Sequence, residues 1–485
     1  MRRLSSKPCH SDHVSELLRY GSPAGRWLLT AAVLGQGMAL LDGTVVNVAL
    51  RSIGRDLDAS LAELQWISNG YLLALAALIL LGGSLGDHFG RRRVFVAGTV
   101  WFAVASLACG VAQTSEQLIG ARVLQGVGGA LLTPGSLALL QASFRPADRA
   151  RAIGAWSGLG GIAAAIGPFV GGSMVEYASW RWVFLLNLPL AAAIVIIAGR
   201  HVPESRDSEA VPGFDVVGAV LGAVGLGGLT FALIQRETSP TPIVVTAATV
   251  GLVSIVGFWL VERSSRHPMM PLELFRSRQF SAANLMTLLV YAALGGVLFF
   301  LVLQLQTVVG YGALKAGLAS LPLTIVMLFL AARGGQLATR IGPRVPMALG
   351  PLVCAAGLVW LLRVDADTTS YWVDVAPGIT LFGLGLSLLV APLTSTVLAA
   401  APDHNAGVAS GINNAIARTG SLLAVAALPT VVGLSGADYE RPEVLAAGYV
   451  SVVWICVVLM VGGAVASWLL IRNDRLVMPG AGTSR

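Results

Sequence analysis

Charge is what this chain has least of. Of its 485 residues only 12% are Asp, Glu, Lys or Arg, and 55% are hydrophobic, where an ordinary soluble domain carries about 25% charge. So little charge excludes one water-facing domain wrapped around an aqueous core, and makes lipid the natural solvent. The formal charge of +7 is scattered over short loops. That excludes a nucleic-acid surface, which needs its basic residues gathered in one patch. Cysteine is scarce too. Cys9, Cys109, Cys354 and Cys456 lie far apart, so there is neither a disulfide framework nor a CxxC metal pair. The six histidines all fall outside the middle of the apolar runs, which argues against a histidine metal site or a histidine base inside a membrane. Neither HExxH nor GxxxxGK[ST] occurs, so an embedded zinc protease and an ATP-driven pump both lose their machinery. No run alternates as a barrel strand would. The chain reads as no enzyme, with no metal and no cofactor.

What it does have is apolar runs of membrane-crossing length, about 20 residues each. Fourteen candidates lie at 27–50, 66–86, 94–112, 117–141, 152–174, 182–199, 214–235, 242–262, 281–304, 317–338, 346–363, 374–397, 406–432 and 444–471. With the N-terminus inside, the inside segments hold 22 Lys and Arg and the outside loops 7. That bias selects an N-in, C-in orientation. The N-terminal segment lacks a short signal-type core with a cleavage site, so it is expected to be a retained cytoplasmic tail.

A charged hinge, Gly82-Gly83-Ser84-Leu85-Gly86-Asp87-His88-Phe89-Gly90-Arg91-Arg92-Arg93, follows the second run. Gly82, Gly83, Leu85, Gly90 and Arg92 recur 252 positions later as Gly334, Gly335, Leu337, Gly342 and Arg344. Gly126–Pro134 in span 4 is echoed by Gly383–Pro392 in span 12. A turn used twice in a membrane chain points to a duplicated transporter. The expected layout is a tail over 1–26, a six-helix half over 27–199, a linker with two extra helices over 200–280, a second six-helix half over 281–471 and a tail over 472–485.

Four stretches, in order, resemble the motifs of one family. The hinge is similar to the loop 2–3 motif of the major facilitator superfamily, and Leu41–Leu50 resembles the first-helix motif of its fourteen-helix drug:proton antiporters. Arg122–Gly129 and Gly160–Gly172 resemble the fourth-helix motif and the fifth-helix antiporter motif. Two positions depart: Arg51 stands where the first motif usually ends in proline, and His88 stands where a stronger base is usual. The resemblance implies an all-α membrane protein of the major facilitator fold, driven by a proton gradient.

Asp42 is the leading candidate residue. A carboxylate within a span is costly and is a functional-site hypothesis by default. It lies 8 residues from the expected outer end of span 1, roughly 12 Å deep. Arg122 lies 5 residues from the outer end of span 4, so the depths permit proton coupling between the two. A structural ion pair is the plainer reading. In span 5, Gly154, Gly158, Gly161, Ala165, Pro168 and Gly172 fall on one stripe. Small residues let helices approach closely, and packing alone would account for them. The resemblance implies more: Gly158, Gly161, Gly167, Pro168, Gly171 and Gly172 would seal one half against the other and limit proton leakage. In the hinge, Gly83, Asp87, Gly90 and Arg91 are expected to form a conformational latch, with Gly90 at positive φ, while Arg92 and Arg93 only fix topology. Asn47, Asn69, Tyr71, Gln304, Gln306, Asn413, Asn414 and Arg418 are candidate cavity residues, with Asn187 in span 6 a further polar group of this kind and interhelical hydrogen bonding the equal alternative for most of them.

The expected function is proton-coupled export of bulky hydrophobic or cationic compounds, such as antibiotics, dyes or biocides, from a bacterial inner membrane. The expected partners are the small molecule, protons and the bilayer. The chain is expected to act as a monomer, without nucleic acid. A dedicated exporter of one natural product or lipid fits the same residues; proton-coupled uptake fits less well.

Overall fold

The computed structural model describes residues 17–206, 215–265, 268–366, 370–402 and 405–473, without the side chains of Ala150, Ala164, Ala165 and Ala406. Residues 1–16 and 474–485 of the expected tails, and 207–214 and 266–267 of the expected linker, therefore lie outside the described residues. In chain order the α-helices are α1 (Pro23–Leu57), α2 (Leu61–Phe89), α3 (Arg91–Val111), α4 (Ser115–Ser143), α5 (Pro146–Tyr177), α6 (Arg181–Leu185), α7 (Asn187–His201), α8 (Val216–Ile234), α9 (Thr241–Ser264), α10 (Arg278–Leu303), α11 (Ala313–Ala319), α12 (Leu321–Ile341), α13 (Arg344–Leu361), α14 (Ala376–Ala399), α15 (Ala406–Val431) and α16 (Pro442–Leu470). Wide π-helical turns at Gln304–Val308 and Tyr371–Val375 adjoin α10 and α14.

Helix starts are set by caps. The Ser22 hydroxyl accepts the Gly25 amide at 3.1 Å, with Pro23 opening α1. Ser60 and Glu63 form a capping box at α2, and Thr114, Asp215 and Ser277 cap α4, α8 and α10. Each satisfies amides that a helix terminus leaves without partners. Several helices run past the apolar stretch that marks them. α1 continues from the expected boundary at 50 through Arg51, Arg55 and Asp56, and stops where Asp58 turns left-handed at φ 50°. Hydropathy marks the lipid depth, whereas backbone hydrogen bonding carries the helix on into polar surroundings.

Proline sets two interruptions. The expected span 182–199 is broken at Leu186 between α6 and α7, and Pro189 lacks the amide that would bond across the gap. Pro322 acts likewise between α11 and α12. Thirteen helices or joined helix pairs among the described residues are long and apolar enough to cross a membrane. α15 covers the remaining expected span, 406–432, but Asn413, Asn414 and Arg418 dilute its apolar character.

α1–α7 pack chiefly among themselves, as do α10 and α12–α16, while α11 packs on α5, and α8 pairs with α9 and meets α2 and α15. Lipid offers no hydrophobic drive between helices, so close backbone contact takes its place. A Cβ on Gly128 would stand 2.6 Å from the Phe102 amide nitrogen, and one on Gly98 2.7 Å from the Leu131 Cβ, which joins α3 to α4. The same joint recurs between α13 and α14, where a Cβ on Gly350 would stand 2.8 Å from the Gly385 carbonyl oxygen. Gly82 abuts the Ala130 carbonyl as its counterpart Gly334 abuts that of Ser387. The sequence repeat is therefore a repeat of contacts.

At the end of the bundle remote from the N-terminus the two groups of helices are tied together. Gln65 Nε2 donates to the carbonyls of Val425 and Ala426 at 2.6 and 3.1 Å. The Leu61 amide donates to Gly436 O at 2.8 Å, and Tyr439 Oη to Ala59 O at 2.9 Å. Gln306 Nε2 donates to Val48 O at 2.9 Å, and Arg51 to the Gln306 carbonyl.

Gly128→Val should force α3 from α4. The expected result is a lower melting temperature of the detergent-solubilised full chain, while Gly120→Val, at a position with open space around it, leaves melting unchanged.

Candidate functional site

Six helices each send a group to one point. Asp42 from α1 is 0% exposed and Arg122 from α4 is 1% exposed, and the Arg122 guanidinium donates to Asp42 Oδ2 at 2.5 Å. Arg122 and Gln125 lie three residues apart on one helix face, and Arg122 also donates to Gln125 Oε1 at 2.6 Å. Gln125 Nε2 and Asn187 Nδ2 donate to Asp42 Oδ1 at 2.8 and 3.0 Å. Both also donate to Ser106 Oγ of α3, at 3.2 and 3.0 Å, and that hydroxyl in turn donates to Phe184 O of α6 at 2.8 Å. Arg122 Nε donates to Ile67 O of α2 at 3.0 Å, and the guanidinium lies 4.5 Å from the Tyr71 ring centroid. Asn187 reaches this point because the helix is broken just before it.

Asp42 thus accepts three hydrogen bonds, one from a cation, with no contact to bulk solvent. Such a pair holds its charge only as a pair. Removing either partner strands the other, and a stranded buried charge costs several kcal/mol. Of the network's members, Gln125 and Ser106 were not anticipated as site residues and Asn187 was only one polar group among several. The i, i+3 spacing of Arg122 and Gln125 was the available signal.

The span 5 stripe divides. At its far end Gly167 meets Thr44 and Val45, Gly171 meets Val45 and Gly172 stands against Leu314 and Ala313, while the Pro168 carbonyl fills the space beside Gly317. Glu176 caps the start of α11, accepting the Leu314 amide at 3.1 Å. Gly154, Gly158 and Gly161 have nothing within 4 Å of a Cβ position and are exposed. Of the expected sealing residues, Pro168 and Gly172 meet α11 across the two groups of helices, Gly167 and Gly171 face α1 within their own group, and Gly158 and Gly161 meet neither. Periodicity identifies a small-residue face but not where a second helix meets it. The Ala165 side chain lies outside the described residues.

In the hinge, Gly90 has φ 108° as expected, and Gly342 repeats it at 87°. Arg91 Nε donates to Asp87 Oδ1 at 2.8 Å, while a Cβ on Gly83 would stand 3.7 Å from the Pro134 side chain. Arg92 and Arg93 do more than set topology: both pair with Glu204, at 3.6 and 3.7 Å, and the Arg92 amide donates to Glu204 Oε1 at 3.0 Å. In the repeat the Arg344 amide donates to Asn473 Oδ1 at 3.3 Å. Glu204 and Asn473 were not foreseen, since they lie far along the chain from the turns they cap. Gly82-Gly83-Ser84-Leu85-Gly86 spells the G-x-S-x-G of serine hydrolases but sits inside α2, without the strand-to-helix elbow that chemistry needs.

The candidate cavity residues do not form one set. Tyr71 belongs to the Asp42 site. Gln304 donates to Val364 O at 3.0 Å, Gln306 to Val48 O, and Asn413 to Asn284 and Thr287 at 3.0 and 2.7 Å, so these are interhelical bonds. Asn414 is exposed and bonds back to Ser410 O at 3.1 Å. Asn47 is half-buried, Asn69 is buried with neither amide atom paired, and Arg418 is half-buried.

Arg122→Leu should leave Asp42 an unpaired buried acid and cost about 3–5 kcal/mol. The expected result is a marked drop in melting temperature, with the Asp42→Asn/Arg122→Gln double variant melting above the Arg122→Leu single.

Comparison with known proteins agrees with the geometry. The family model described as the Major Facilitator Superfamily matches residues 32–425. A tetracenomycin C resistance and export protein of Streptomyces glaucescens is 37% identical over 82% of this chain and 74% of its own. A puromycin resistance protein of Streptomyces alboniger is 34% identical over 93% and 92%, and a methylenomycin A resistance protein of Bacillus subtilis is 34% identical over 86% and 90%. Among solved structures, a POT peptide transporter in complex with sulfate superposes with a TM-score of 0.67 at 15% identity, covering 92% of this chain and 94% of that one. A D-xylose–proton symporter gives 0.64 at 13% identity, covering 92% and 98%. These likenesses establish the fold, and with the spanning helices they make the chain a multi-pass protein of the bacterial inner membrane and not an enzyme. The chain belongs to the Major Facilitator Superfamily.

Proposed function

We propose that the chain is a proton-coupled exporter of bulky hydrophobic compounds, the class that includes antibiotics, dyes and biocides. The observation that carries this reading is the buried Asp42–Arg122 pair, an acid whose protonation changes the balance between two arrangements of the bundle. The relatives add support, since those compared are named for antibiotic resistance or export.

In this reading the N-terminus and C-terminus face the cytoplasm, as the Lys and Arg bias favours. Residues 27–199 and 281–471 act as two halves joined through the two extra helices of 200–280. The structure described above then corresponds to a transporter closed toward the outside and parted toward the cytoplasm between α5 and α12. Substrate enters from the cytoplasmic side, and the outer contacts part as the cytoplasmic side closes. Asp42 takes a proton from outside in that second state, and release of the proton inward restores the pair. The Asp87–Arg91 hinge holds one state and exchanges partners in the other. The transporter works as a monomer, with the proton gradient in place of a cofactor. A dedicated exporter of one natural product remains the second reading, favoured by the export of a single named compound by the Streptomyces glaucescens relative.

Proteoliposomes holding only a pH gradient test this. Wild-type protein is expected to move a fluorescent apolar dye against its concentration gradient. Asp42→Asn is expected to abolish that uphill transport while retaining the wild-type elution profile and downhill exchange. Full uphill transport by Asp42→Asn would remove the acid from the mechanism.

A further inference from the structure

Arg418 is a charge that the mechanism does not use. It sits at the middle of α15 (Ala406–Val431), about 18 Å from either end of the helix. A Cβ on Gly411 of the same helix would stand 2.8 Å from the Leu80 side chain of α2, and the Val425 carbonyl accepts from Gln65 of α2. Arg418 is seven residues from each, so by helical period it occupies the α2-facing stripe between these two contacts. It is close enough to interact electrostatically with the hydroxyls of Tyr71 on α2 and Tyr291 on α10. It therefore stands on the seam between the two groups of helices.

Arg418 forms no hydrogen bond and no ion pair among the described residues. Asp42 is engaged by Arg122, Gln125 and Asn187, and every other acid on a described spanning helix lies within four residues of a helix end. The protein supplies no counter-charge at this depth, where an uncompensated charge is expensive. A structural arginine would staple helices together, and this one staples nothing. Asn69 adds an independent sign. It lies one turn along α2 from Gln65, on the α15-facing side, fully buried with neither its oxygen nor its nitrogen hydrogen bonded. A cation and an amide, both without protein partners, thus line the same α2–α15 seam.

We infer that this seam is the recognition site for an acidic substrate: an apolar body carrying a carboxylate or comparable anion, whose charge pairs with Arg418 and whose acceptor atoms are within the repertoire of Asn69. This rests on the exporter reading and narrows it, replacing the expected cationic compounds with organic acids. A guanidinium receives a carboxylate through two parallel N–H donors, a geometry an ammonium lacks.

The test reads binding at equilibrium, without a gradient, so its outcome is independent of proton coupling. The full chain in phosphatidylcholine nanodiscs is titrated with 1-pyrenebutyrate and with its methyl ester, followed by energy transfer from tryptophan to pyrene. Wild-type protein is expected to bind the acid more tightly than the ester. Arg418→Gln is expected to weaken the acid by roughly tenfold or more and leave the ester unchanged, and Arg418→Lys to recover part of the loss. Equal binding of acid and ester by wild type, or an equal loss of both in Arg418→Gln, overturns the proposal. The wild-type comparison holds even should the variant fail to fold. Phosphatidylglycerol added to the nanodiscs is expected to leave acid binding in place; displacement by that lipid assigns the site to a headgroup phosphate and overturns the substrate assignment.

Discussion

In the hydrocarbon interior of a membrane a charge must have a partner, and the Asp42–Arg122 contact is where this chain meets that demand most completely. Its 2.5 Å hydrogen bond is surrounded by Gln125, Asn187, Ser106 and two backbone carbonyls. Each comes from a different point along α1–α7, so the pair forms only when those helices are packed. The cost of burying two charges is offset by satisfying almost every polar atom around them. The same satisfaction makes the site sensitive: removing one charge, by mutation or by a proton, disturbs all of its neighbours.

The rest of the bundle obeys the same constraint by different means. Glycines at 98, 128, 350 and 385 bring backbones into contact where hydrophobic attraction between helices is absent. Carbonyls at the closed end accept from Gln65, Gln306 and Tyr439 across the two groups of helices. At the opposite end Glu204 and Asn473 cap equivalent turns in the two repeats. Identical positions in the repeat use a carboxylate in one and an amide in the other, so the contact is preserved by hydrogen-bond acceptance rather than by charge.

The two repeats differ most in electrostatics. The first contains a closed acid–base pair at its centre, and the second contributes Arg418 without an acid to match it. Duplication supplied two similar frames, and the asymmetry of charge between them is what a transporter needs if one side is to handle protons and the other the transported compound. The span 5 seal shows the same economy. Glycines at regular spacing line the helix throughout, but only the end near Gly172 meets Leu314, leaving the other end apart.

Several features were legible from residues alone. Low charge and repeated apolar runs determine a membrane protein, since no aqueous core could hold them. Asp42 and Arg122 stand out because charge within a span is rare, and Gly90 because a short turn between long helices needs a left-handed residue. The offset of 252 determines the repeat. Only the tertiary structure decided that Gln125, Ser106 and Asn187 complete the acid's shell, that Glu204 reaches the hinge, and that half of the span 5 stripe lies open. Most of those contacts join residues 80 or more positions apart or depend on where one helix meets another, and local propensity and hydropathy carry no information about either. Depth in lipid is written along the chain; which neighbour a side chain meets at that depth is a property of the packed bundle.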